Sequence, residues 1–353
     1  MHLSQLILEN FRSYQQKRFD FDEKLNLILG ANGSGKTNAL EAIFLLASGK
    51  SFRSSTLSQL INWDKNYVSV RGTIISKDQK NNLEVLLVKE ANRERVTRKY
   101  LVDGVIKTRS KYLGTLKTVV FEQEDIRFVA GSPTRRRDYL DGVFTATEWR
   151  YAVAISQYHR ALRHRNKLLY QIKKGLNLKA EIFYWDQSLV KNGIVIQDYR
   201  QKLVRSINSF WAGHENPEVR QNFIKYLPSA LSLDKLEGNY QLDLERGFTS
   251  LGPHRDDFSF NNTSFSTEDK NLAFWGSRGQ QRMAVLALRL AQINYLEETY
   301  KQKPILLLDD IFSELDPEHQ LLVVGICNHY QTFFTSSNSE VAGILPSAEI
   351  LNL

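Results

Sequence analysis

The pattern of apolar and polar positions makes the N-terminal part of this chain rich in predicted strands. Residues 3–9 and 17–21 read as two strands joined by a turn. A largely apolar run, Leu-Asn-Leu-Ile-Leu at residues 25–29, predicts a buried strand. Between residues 67 and 107, three segments alternate or stay apolar, and Asp103-Gly104 has the composition of a type I′ hairpin turn. This stretch predicts a β-meander.

The pattern changes near residue 131. From residue 134 to about 226 the apolar spacing is helical, and the charged residues are mostly basic. Residues 279–353 then predict a helix, a buried strand and a second helix. We therefore predict an α/β fold with a split core, residues 1–130 and 240–353, interrupted by an α-helical insertion lobe at residues 131–239.

Composition narrows the class of protein only moderately. The 353 residues are 42% hydrophobic and 24% charged, as in a soluble globular protein. A formal charge of +8 favours an acidic partner such as nucleic acid. Cys327 is the only cysteine, which excludes an intramolecular disulfide and favours a reducing, cytoplasmic location. No apolar run is long enough for a membrane span, and the first residues read as a strand rather than a signal peptide.

The segment from Gly30 to Thr37 matches the pattern G-x-x-x-x-G-K-[ST] between a predicted strand and a predicted helix. Glycines allow the backbone N–H groups to face a phosphate, Lys36 reaches the β- and γ-phosphates, and the Thr37 hydroxyl is a ligand for Mg²⁺. A glycine turn without a ligand is the alternative, but Lys-Thr in this context favours ATP and Mg²⁺ as cofactors. The predicted nucleotide-binding residues are Gly30, Ala31, Asn32, Gly33, Ser34, Gly35, Lys36, Thr37 and Asn38.

Two carboxylates end the apolar run that begins at Pro304. A P-loop ATPase needs an acidic residue at a strand end to hold Mg²⁺, and often a second one to orient water. Asp309 is the predicted metal partner, and Asp310 is the predicted water-positioning residue. An acidic loop after a buried strand is the alternative. Asp310 and Lys36 are the predicted catalytic residues.

Ser277-Arg-Gly279-Gln280 opens a long predicted helix, and Asp316-Pro317 opens another. Ser277 and Gln280 fit an ordinary capping box, which explains both residues without any ligand. That explanation leaves out Gly279 and the placement of the motif before Asp309.

With the P-loop, these stretches resemble the signature, Walker B and D-loop motifs of the ABC/SMC class of ATPases. The fold implied is an ABC/SMC-type P-loop ATPase head with an inserted α-helical lobe. In that class two subunits enclose two ATP molecules. The resemblance therefore implies an ATP-dependent homodimer in which Ser277, Gly279 and Gln280 act in trans on the partner's nucleotide.

Within the class, the segment from Glu124 to Asp141 resembles the RecF family of bacterial recombination mediators. Further matching segments are Asn10–Tyr14, Ser51–Arg53, Arg165-Asn166, Trp185-Asp186 and Gly252–Asp257. The resemblance places Arg12 near the nucleotide, and a surface turn is the alternative.

Two features depart from the expected family pattern. Gln123 replaces an expected proline and falls where the class carries its Q-loop glutamine, which implies contact with the nucleotide, Mg²⁺ or water. The switch strand at residues 332–338 lacks the histidine of transporters, and Thr335 or a neighbour is a candidate sensor of the γ-phosphate.

The family implies a DNA-binding protein with slow ATP hydrolysis, acting in recombinational repair and replication-fork maintenance. RecO and RecR are the implied partners, and RecA loading and SOS induction are the implied outcomes. The alternative is a nucleotide-binding subunit of another ABC/SMC-type complex, such as the energy module of a transporter. A small-molecule kinase is disfavoured because no phosphoryl acceptor site is identifiable.

Basic residues of the insertion supply the candidate DNA contacts. An exposed, solvated helix face is the alternative for all of them. Its aromatic residues are more often core than stacking platforms, and the roles of His254 and Arg255 stay open. The predicted DNA-binding residues are Arg135, Arg136, Arg160, Arg163 and Lys167.

Overall fold

The fold is taken from a computed structural model that describes residues 1–54, 56–76, 79–90, 96–176, 179–265, 270–313 and 315–353. Internal contacts divide the chain into two compact units. Unit 1 contains residues 1–125 and 296–353, and unit 2 contains residues 126–295.

In chain order the strands are β1 His2–Phe11, β2 Tyr14–Asp20, β3 Leu25–Leu29, β4 Tyr67–Ser76, β5 Gln79–Lys89, β6 Val96–Val102, β7 Val105–Lys107, β8 Thr118–Glu122, β9 Asn222–Leu227, β10 Asp257–Asn262, β11 Ile305–Asp309, β12 Thr332–Ser336 and β13 Glu349–Asn352. The strands up to residue 107, together with β11 and β12, lie close to where the apolar pattern predicts them, whereas β9 lies at the end of the stretch predicted to be helical.

The helices dominate the middle of the chain, as the helical spacing predicts. In chain order they are α1 Lys36–Ser48, α2 Arg109–Tyr112, α3 Arg127–Ala130, α4 Pro133–Thr145, α5 Trp149–Lys173, α6 Lys179–Ala212, α7 Pro217–Arg220, α8 Leu233–Gly238, α9 Tyr240–Arg246, α10 Leu272–Trp275, α11 Arg278–Tyr300, α12 Pro317–Cys327 and α13 Val341–Ile344.

Unit 1 contains two sheets. One is antiparallel, with strand order β2-β1-β4-β5-β6-β7, and it includes the predicted β-meander. Asp103 and Gly104 both have positive φ, as the type I′ turn between β6 and β7 requires. The other sheet has the order β13-β3-β12-β11-β8, and all its pairings are parallel. Its strands therefore all end at the same edge.

The core of unit 1 lies around α1, which contacts strands of both sheets. Leu40, Ile43 and Leu46 on this helix are fully buried. The helix passes so close to β4 that a Cβ at Gly72 would lie 2.3 Å from Leu46 Cδ2. Because no side chain fits there, glycine at this position lets α1 pack directly on the antiparallel sheet.

Unit 2 is built on the pairing of α5 with α6. A short connection joins the two helices, and Arg165 pairs with Asp186 while Arg200 contacts Tyr151, so the helices run antiparallel. The β9–β10 ribbon also belongs to this unit, because Ile224 pairs with Phe260 across a long stretch of chain.

The limits of the compact units differ from those of the predicted domains. Unit 2 begins at residue 126, near the predicted boundary at residue 130. It extends to residue 295, beyond the predicted boundary at residue 240, and it includes β10, which pairs with β9. A pairing between distant segments leaves no local signal in the sequence.

Candidate functional site

The polar residues predicted to bind nucleotide meet at the carboxyl edge of the parallel sheet in unit 1. The P-loop follows β3, the two aspartates end β11, and Gln123 follows β8. In open α/β sheets, ligands bind at this edge because the strand ends and helix N-termini converge there.

The P-loop has the backbone geometry of a phosphate cradle. Gly33 and Gly35 have φ values of 85° and 107°, which other residues rarely adopt. Gly35 is the N-cap residue of α1, and no side chain of the described residues caps this helix end. The free N–H groups and the positive end of the helix dipole therefore stay available for an anion.

The hydrogen bonding of two side chains in the loop would change if a phosphate group bound there. Lys36 Nζ donates to the carbonyl oxygens of Gly30 and Ala31, at 2.7 and 2.9 Å. Ser34 Oγ is buried, and none of the described residues forms a hydrogen bond with it. A buried hydroxyl without a partner is costly, and it indicates a site whose ligand satisfies it.

The loop is also supported from the neighbouring strands. Tyr14 OH donates to Gly35 O at 3.1 Å, and burial raises the pKa of Tyr14 to about 12. Asn38 Nδ2 donates to Ser13 Oγ at 3.1 Å, and Arg53 donates to the amide oxygen of Asn38. Tyr14 was not among the predicted site residues, because only the folded chain brings β2 to the P-loop.

Thr37 and Asp309 lie together, as the metal-site prediction requires. Thr37 Oγ1 donates to Asp309 Oδ1 at 2.9 Å, and Thr335 Oγ1 donates to the same oxygen at 2.8 Å. Thr335 lies on β12, the strand between β3 and β11. Hydroxyl and carboxylate oxygens are the donor set that Mg²⁺ prefers, so these residues fit the predicted ion.

Asp310 is held in an unusual conformation beside this pair. Its φ of 50° lies in the left-handed region, and its N–H donates to Thr335 Oγ1 at 3.0 Å. Burial, and then the charge of Asp309, raise the pKa of the Asp310 carboxyl group above its usual value. A raised pKa beside a second carboxylate is typical of functional sites.

Gln123 fixes the orientation of the Asp310 carboxylate. Its Nε2 donates to Asp310 Oδ2 at 3.1 Å, to Asp310 O at 3.3 Å and to Ser313 Oγ at 3.1 Å. Ser313 in turn donates to Asp310 O at 2.7 Å. Gln123 therefore lies at the predicted site, and its contacts are to the water-positioning candidate.

Arg12 contacts the helix that follows the P-loop. Its guanidinium forms a bidentate ion pair with Glu41 of α1, at 2.9 and 2.7 Å, and Glu41 is fully buried. The other guanidinium contacts are with Gln59 O and Ser54 Oγ. Glu41 was not predicted from the sequence, because an acidic residue about one turn into a helix has no distinctive pattern.

The signature candidates lie at an exposed helix tip in unit 2. Gln280 N donates to Ser277 Oγ at 3.3 Å, and Ser277 N donates to Gln280 Oε1 at 2.9 Å, so the capping box is formed. Ser277, Gly279 and Gln280 are all exposed. A Cβ at Gly279 would approach nothing closer than 3.9 Å, so packing within the chain does not explain this glycine.

Gln281 fixes the turn that precedes this tip. Its Nε2 donates to the carbonyl oxygens of Leu272 and Gly276, at 3.0 and 3.1 Å. Leu272 is fully buried, whereas Phe274 and Trp275 of the same short helix are 75% and 56% exposed. Two aromatic side chains that precede Ser277 by two or three residues thus face solvent.

The D-loop candidate is described in part, since Glu314 lies outside the described residues. Asp316 Oδ1 accepts from His319 N at 3.0 Å, so the predicted N-cap of α12 is confirmed.

One predicted DNA contact is wrong. Arg136 is 8% exposed, and its guanidinium forms two hydrogen bonds with Asp257, at 2.7 and 2.9 Å. It also donates to Phe128 O and Gly131 O. A guanidinium with these partners is part of the interior of unit 2 and is not available to a phosphate.

Buried arginines account for several of the family-like segments. Arg165 is fully buried between Asp186 and Asp243, at 2.5 and 2.7 Å. Arg200 is buried between Asp141 and Asp256, at 2.7 and 2.9 Å. Breaking such a pair is strongly destabilising, since removing one partner leaves an uncompensated buried charge.

The remaining DNA candidates lie at the surface of unit 2. Arg160, Arg163 and Lys167 are exposed on α5, and Arg135 is partly buried on α4. The aromatic residues of the lobe divide into two groups. Those in the core include Tyr139, Tyr151 and Tyr158; those at the surface include Trp149, Tyr170 and Tyr184.

His254 and Arg255 have different surroundings. His254 is hydrogen-bonded to Tyr158 OH through Nδ1 and to Thr249 O through Nε2, at 2.7 and 3.0 Å. Burial lowers its pKa from 6.5 to about 4. Arg255 is exposed, and its guanidinium carbon lies 5.1 Å from the centroid of the Phe248 ring. His254 is thus part of the interior, whereas Arg255 lies at the surface.

Across the described helices, none combines the length and apolar character needed to cross a membrane.

Comparisons with known proteins agree with these motifs. The profile of the RecF/RecN/SMC N-terminal domain family matches residues 2–342. The DNA replication and repair protein RecF of Caldanaerobacter subterraneus is 35% identical over 97% of this chain and 96% of its own length. RecF of Leptospira interrogans is 34% identical over 96% of this chain and 93% of its own length.

Solved structures of RecF proteins also match the chain over nearly its full length. A structure of the recombination mediator protein RecF-ATP in the RecFOR pathway covers 99% of this chain and 95% of its own, with 31% identity and a TM-score of 0.84. Another, with ATPrS, covers 100% and 96%, with 29% identity and a TM-score of 0.85. An SMC head bound to the C-terminal winged-helix domain of ScpA shares the fold at 16% identity and a TM-score of 0.53. The chain belongs to the RecF family of DNA replication and repair proteins.

Proposed function

We propose that this protein is an ATP-dependent, DNA-binding switch of recombinational repair that hydrolyses ATP slowly. The observation that carries the proposal is the convergence of the P-loop, Asp309 and Asp310 at one sheet edge, with Thr37 Oγ1 2.9 Å from Asp309 Oδ1. The solved RecF structures named with ATP and ATPrS support the choice of nucleotide.

The P-loop residues have defined tasks in this proposal. When bound, the nucleotide supplies the phosphoryl group to be transferred, and Mg²⁺ supplies charge that neutralises its oxygens. The backbone N–H groups at Gly33 and Gly35 hold the phosphates, and Ser34 Oγ gains the partner that it lacks. Lys36 exchanges the carbonyls of Gly30 and Ala31 for phosphate oxygens.

The two carboxylates have different roles in the proposal, one toward Mg²⁺ and one toward water. Asp309 and Thr37 are the residues that would hold Mg²⁺, and Thr335 keeps the Asp309 carboxylate in place. Asp310 orients the attacking water and accepts its proton. Gln123 and Ser313 hold Asp310 in the conformation that this role needs.

The helix tip at Ser277 completes the site from a second copy of the chain. Its exposure, its glycine without an internal packing role and the exposed aromatic pair that precedes it all favour a surface that another molecule covers. A helix N-terminus binds anions, so two chains each gain a phosphate contact when they meet. ATP then favours the dimer because it binds that state better, and hydrolysis favours the monomer.

DNA and the partners RecO and RecR belong to the same proposal. The relatives are named as DNA replication and repair proteins, and the solved structures as members of the RecFOR pathway. The surplus of basic residues supports an anionic partner, and Arg160, Arg163 and Lys167 are exposed and suited to phosphate contacts. Arg135 is a weaker candidate because it is partly buried.

Sedimentation velocity tests the proposal. The protein is measured without nucleotide, with Mg²⁺-ADP, with Mg²⁺-ATP and with Mg²⁺-ATP plus labelled DNA. We expect a monomer in the first two samples, a dimer with ATP, and DNA that sediments with the dimer. A monomer in all four samples contradicts the switch, and a dimer that does not carry DNA contradicts the DNA-binding part alone.

A further inference from the structure

One buried hydroxyl group lies between the two carboxylates of the candidate site. Thr335 is on β12, which pairs with β3 on one side and with β11 on the other. In the parallel register of β11 and β12, Thr335 is opposite Asp309, and it is only 2% exposed. It therefore lies inside the sheet, between the strand that leads into the P-loop and the strand that ends in the aspartates.

The hydroxyl group of Thr335 contacts both aspartates. Its Oγ1 donates to Asp309 Oδ1 at 2.8 Å and accepts from the Asp310 N–H at 3.0 Å. The same Asp309 oxygen also accepts from Thr37 Oγ1, at 2.9 Å. A single hydroxyl group thus connects the metal-site pair, Thr37 and Asp309, to the backbone of the water-positioning candidate.

These contacts support the unusual backbone conformation of Asp310. A φ of 50° is uncommon for a residue other than glycine, and it persists only where the surroundings compensate for its cost. Thr335 Oγ1 holds the N–H group of the residue, while Gln123 Nε2 and Ser313 Oγ donate to its carbonyl oxygen, at 3.3 and 2.7 Å. The left-handed conformation is therefore held from both sides, and one of these contacts comes from a residue that also holds Asp309.

The hydrogen-bonding capacity of Thr335 limits what else the residue can do. A hydroxyl group has one proton to donate, and Thr335 donates its proton to Asp309. An ionised phosphate oxygen only accepts hydrogen bonds, so contact with it requires the bond to Asp309 to break. The geometry therefore favours a role in placing the carboxylates over direct contact with a γ-phosphate, for which Thr335 was a candidate from its place on the switch strand.

We propose that Thr335 is a positioning residue that makes the placement of Asp310 depend on the placement of Asp309. Its hydroxyl group fixes the carboxylate that would hold Mg²⁺ and the carboxylate that would orient water relative to each other. This inference rests on the proposed function and adds to it the residue that connects metal binding to hydrolysis.

Removal of the hydroxyl group affects the two aspartates in different ways. Asp309 keeps its charge and the bond from Thr37, but its carboxylate loses one of these two restraints. The Asp310 N–H loses its partner in a partly buried position, so the left-handed conformation loses support. Turnover should fall for this reason, because a misplacement of about 1 Å can reduce a rate about a hundred-fold.

Isothermal titration calorimetry of ATP binding with and without Mg²⁺ tests the connection to the metal site. Thr335→Val keeps the branched shape of the side chain and removes the hydroxyl group. ATP affinity without Mg²⁺ should stay within about two-fold of the wild type. The gain in affinity on adding Mg²⁺ should fall about ten-fold, since loss of a group that orients a metal ligand typically has an effect of this size. Thr335→Ser, which keeps the hydroxyl group, should restore most of the gain.

A double-mutant cycle on turnover, at saturating Mg²⁺ and ATP, tests the connection to Asp310. Thr335→Val alone should lower kcat about ten-fold, and Asp310→Asn alone should lower it about a hundred-fold or more. If Thr335 acts through Asp310, the double variant should be slower than Asp310→Asn by no more than about three-fold. Independent effects would multiply to a loss of about a thousand-fold.

A second threonine on the same strand supplies a matched control. Thr332 is fully buried, and its Oγ1 donates to the carbonyl oxygens of Cys327 and Tyr330, at 3.3 and 3.2 Å. Thr332→Val therefore makes the same chemical change in β12 away from the aspartates, and it should leave the gain from Mg²⁺ and kcat within about two-fold of the wild type. Circular dichroism verifies that each variant is folded, and Thr335→Ala replaces Thr335→Val if the valine variant is not.

The results for Thr335→Val separate the positioning role from the other possibilities. An unchanged gain from Mg²⁺ together with unchanged turnover overturns the role. Loss of ATP affinity without Mg²⁺ overturns it too and assigns Thr335 to direct contact with phosphate, and multiplied effects in the double variant exclude action through Asp310. If the wild type neither binds nor hydrolyses ATP, the proposed function itself fails, and that result is distinct from these.

Discussion

The N-termini of α1 and α11 are central to the proposed mechanism, and they differ in how they are capped. At α1, within the part of the chain that the structure describes, no side chain caps the helix and Ser34 Oγ has no partner. At α11, Ser277 and Gln280 satisfy each other in a capping box. The α1 end therefore lacks a cap that an anion can supply, whereas the α11 end has a side-chain cap within the isolated chain.

This difference separates binding from assembly. The P-loop is expected to bind ATP in one chain alone, because its unsatisfied groups all belong to that chain. The Ser277 tip gains contacts only when a second chain presents a phosphate, and it must then exchange its own cap for that contact. Variants at the two ends should therefore fail at different steps.

The largest expected effect is at the P-loop. Lys36→Ala removes the cation that is proposed to leave the carbonyl oxygens of Gly30 and Ala31 and to bind phosphate oxygens. Loss of such a charged contact costs about 3 kcal/mol of binding free energy. ATP affinity should fall at least about a hundred-fold in isothermal titration calorimetry. Lys24→Ala, an exposed lysine just before β3, is the control. Unchanged affinity in the Lys36 variant would contradict the site.

The next effect concerns turnover. Asp310→Asn removes the group that accepts the proton of water while keeping its size, and loss of a general base costs about a hundred-fold or more. ATP affinity should stay within about two-fold, and the dimer should persist longer after ATP is added. Phosphate release and sedimentation measure the two quantities. Hydrolysis at the wild-type rate would show that another group positions the water.

A smaller effect is expected at Gln123. Gln123→Ala removes the donor 3.1 Å from Asp310 Oδ2, so the carboxylate loses one of its restraints. Turnover should fall about three- to ten-fold with ATP affinity unchanged, since the carboxylate keeps its charge and loses only part of the restraint on its orientation. Gln16→Ala, at an exposed position of β2, is the control. A loss of nucleotide or magnesium affinity instead would assign Gln123 to direct ligand contact.

The smallest effect lies away from the site and depends on pH. Burial lowers the pKa of His254 to about 4 from 6.5, so the unfolded chain binds the proton more readily than the folded chain. The resulting stability is present above pH 6.5 and is lost as pH falls toward 4. His254→Asn should flatten this part of the curve of melting temperature against pH, and His329→Asn, at an exposed position, should not. Parallel curves for the wild type and the His254 variant would exclude this histidine.

Local patterns in the sequence were sufficient to predict much of unit 1. The P-loop, Asp309 and the β6–β7 hairpin each lie within one short segment, so residue type and spacing determine them. The same holds for the capping box at Ser277 and the N-cap at Asp316.

Contacts between distant segments were beyond that reasoning. Arg136 belongs to a basic run that reads as a surface, yet Asp257 lies beside it only after the chain has folded. The pairing of β9 with β10 was not predicted for the same reason. Pattern reasoning works where one segment determines its own environment and fails where a partner distant in the sequence does.

Sedimentation of Ser277→Arg in Mg²⁺-ATP tests the central claim most directly. Ser277 is exposed and lies outside the P-loop, so the variant should fold and bind ATP with wild-type affinity. We predict that it stays monomeric under conditions in which the wild type dimerises. The arginine side chain is larger than that of serine and blocks the contact with the partner's phosphate. A variant that binds ATP and dimerises as the wild type does would contradict the account.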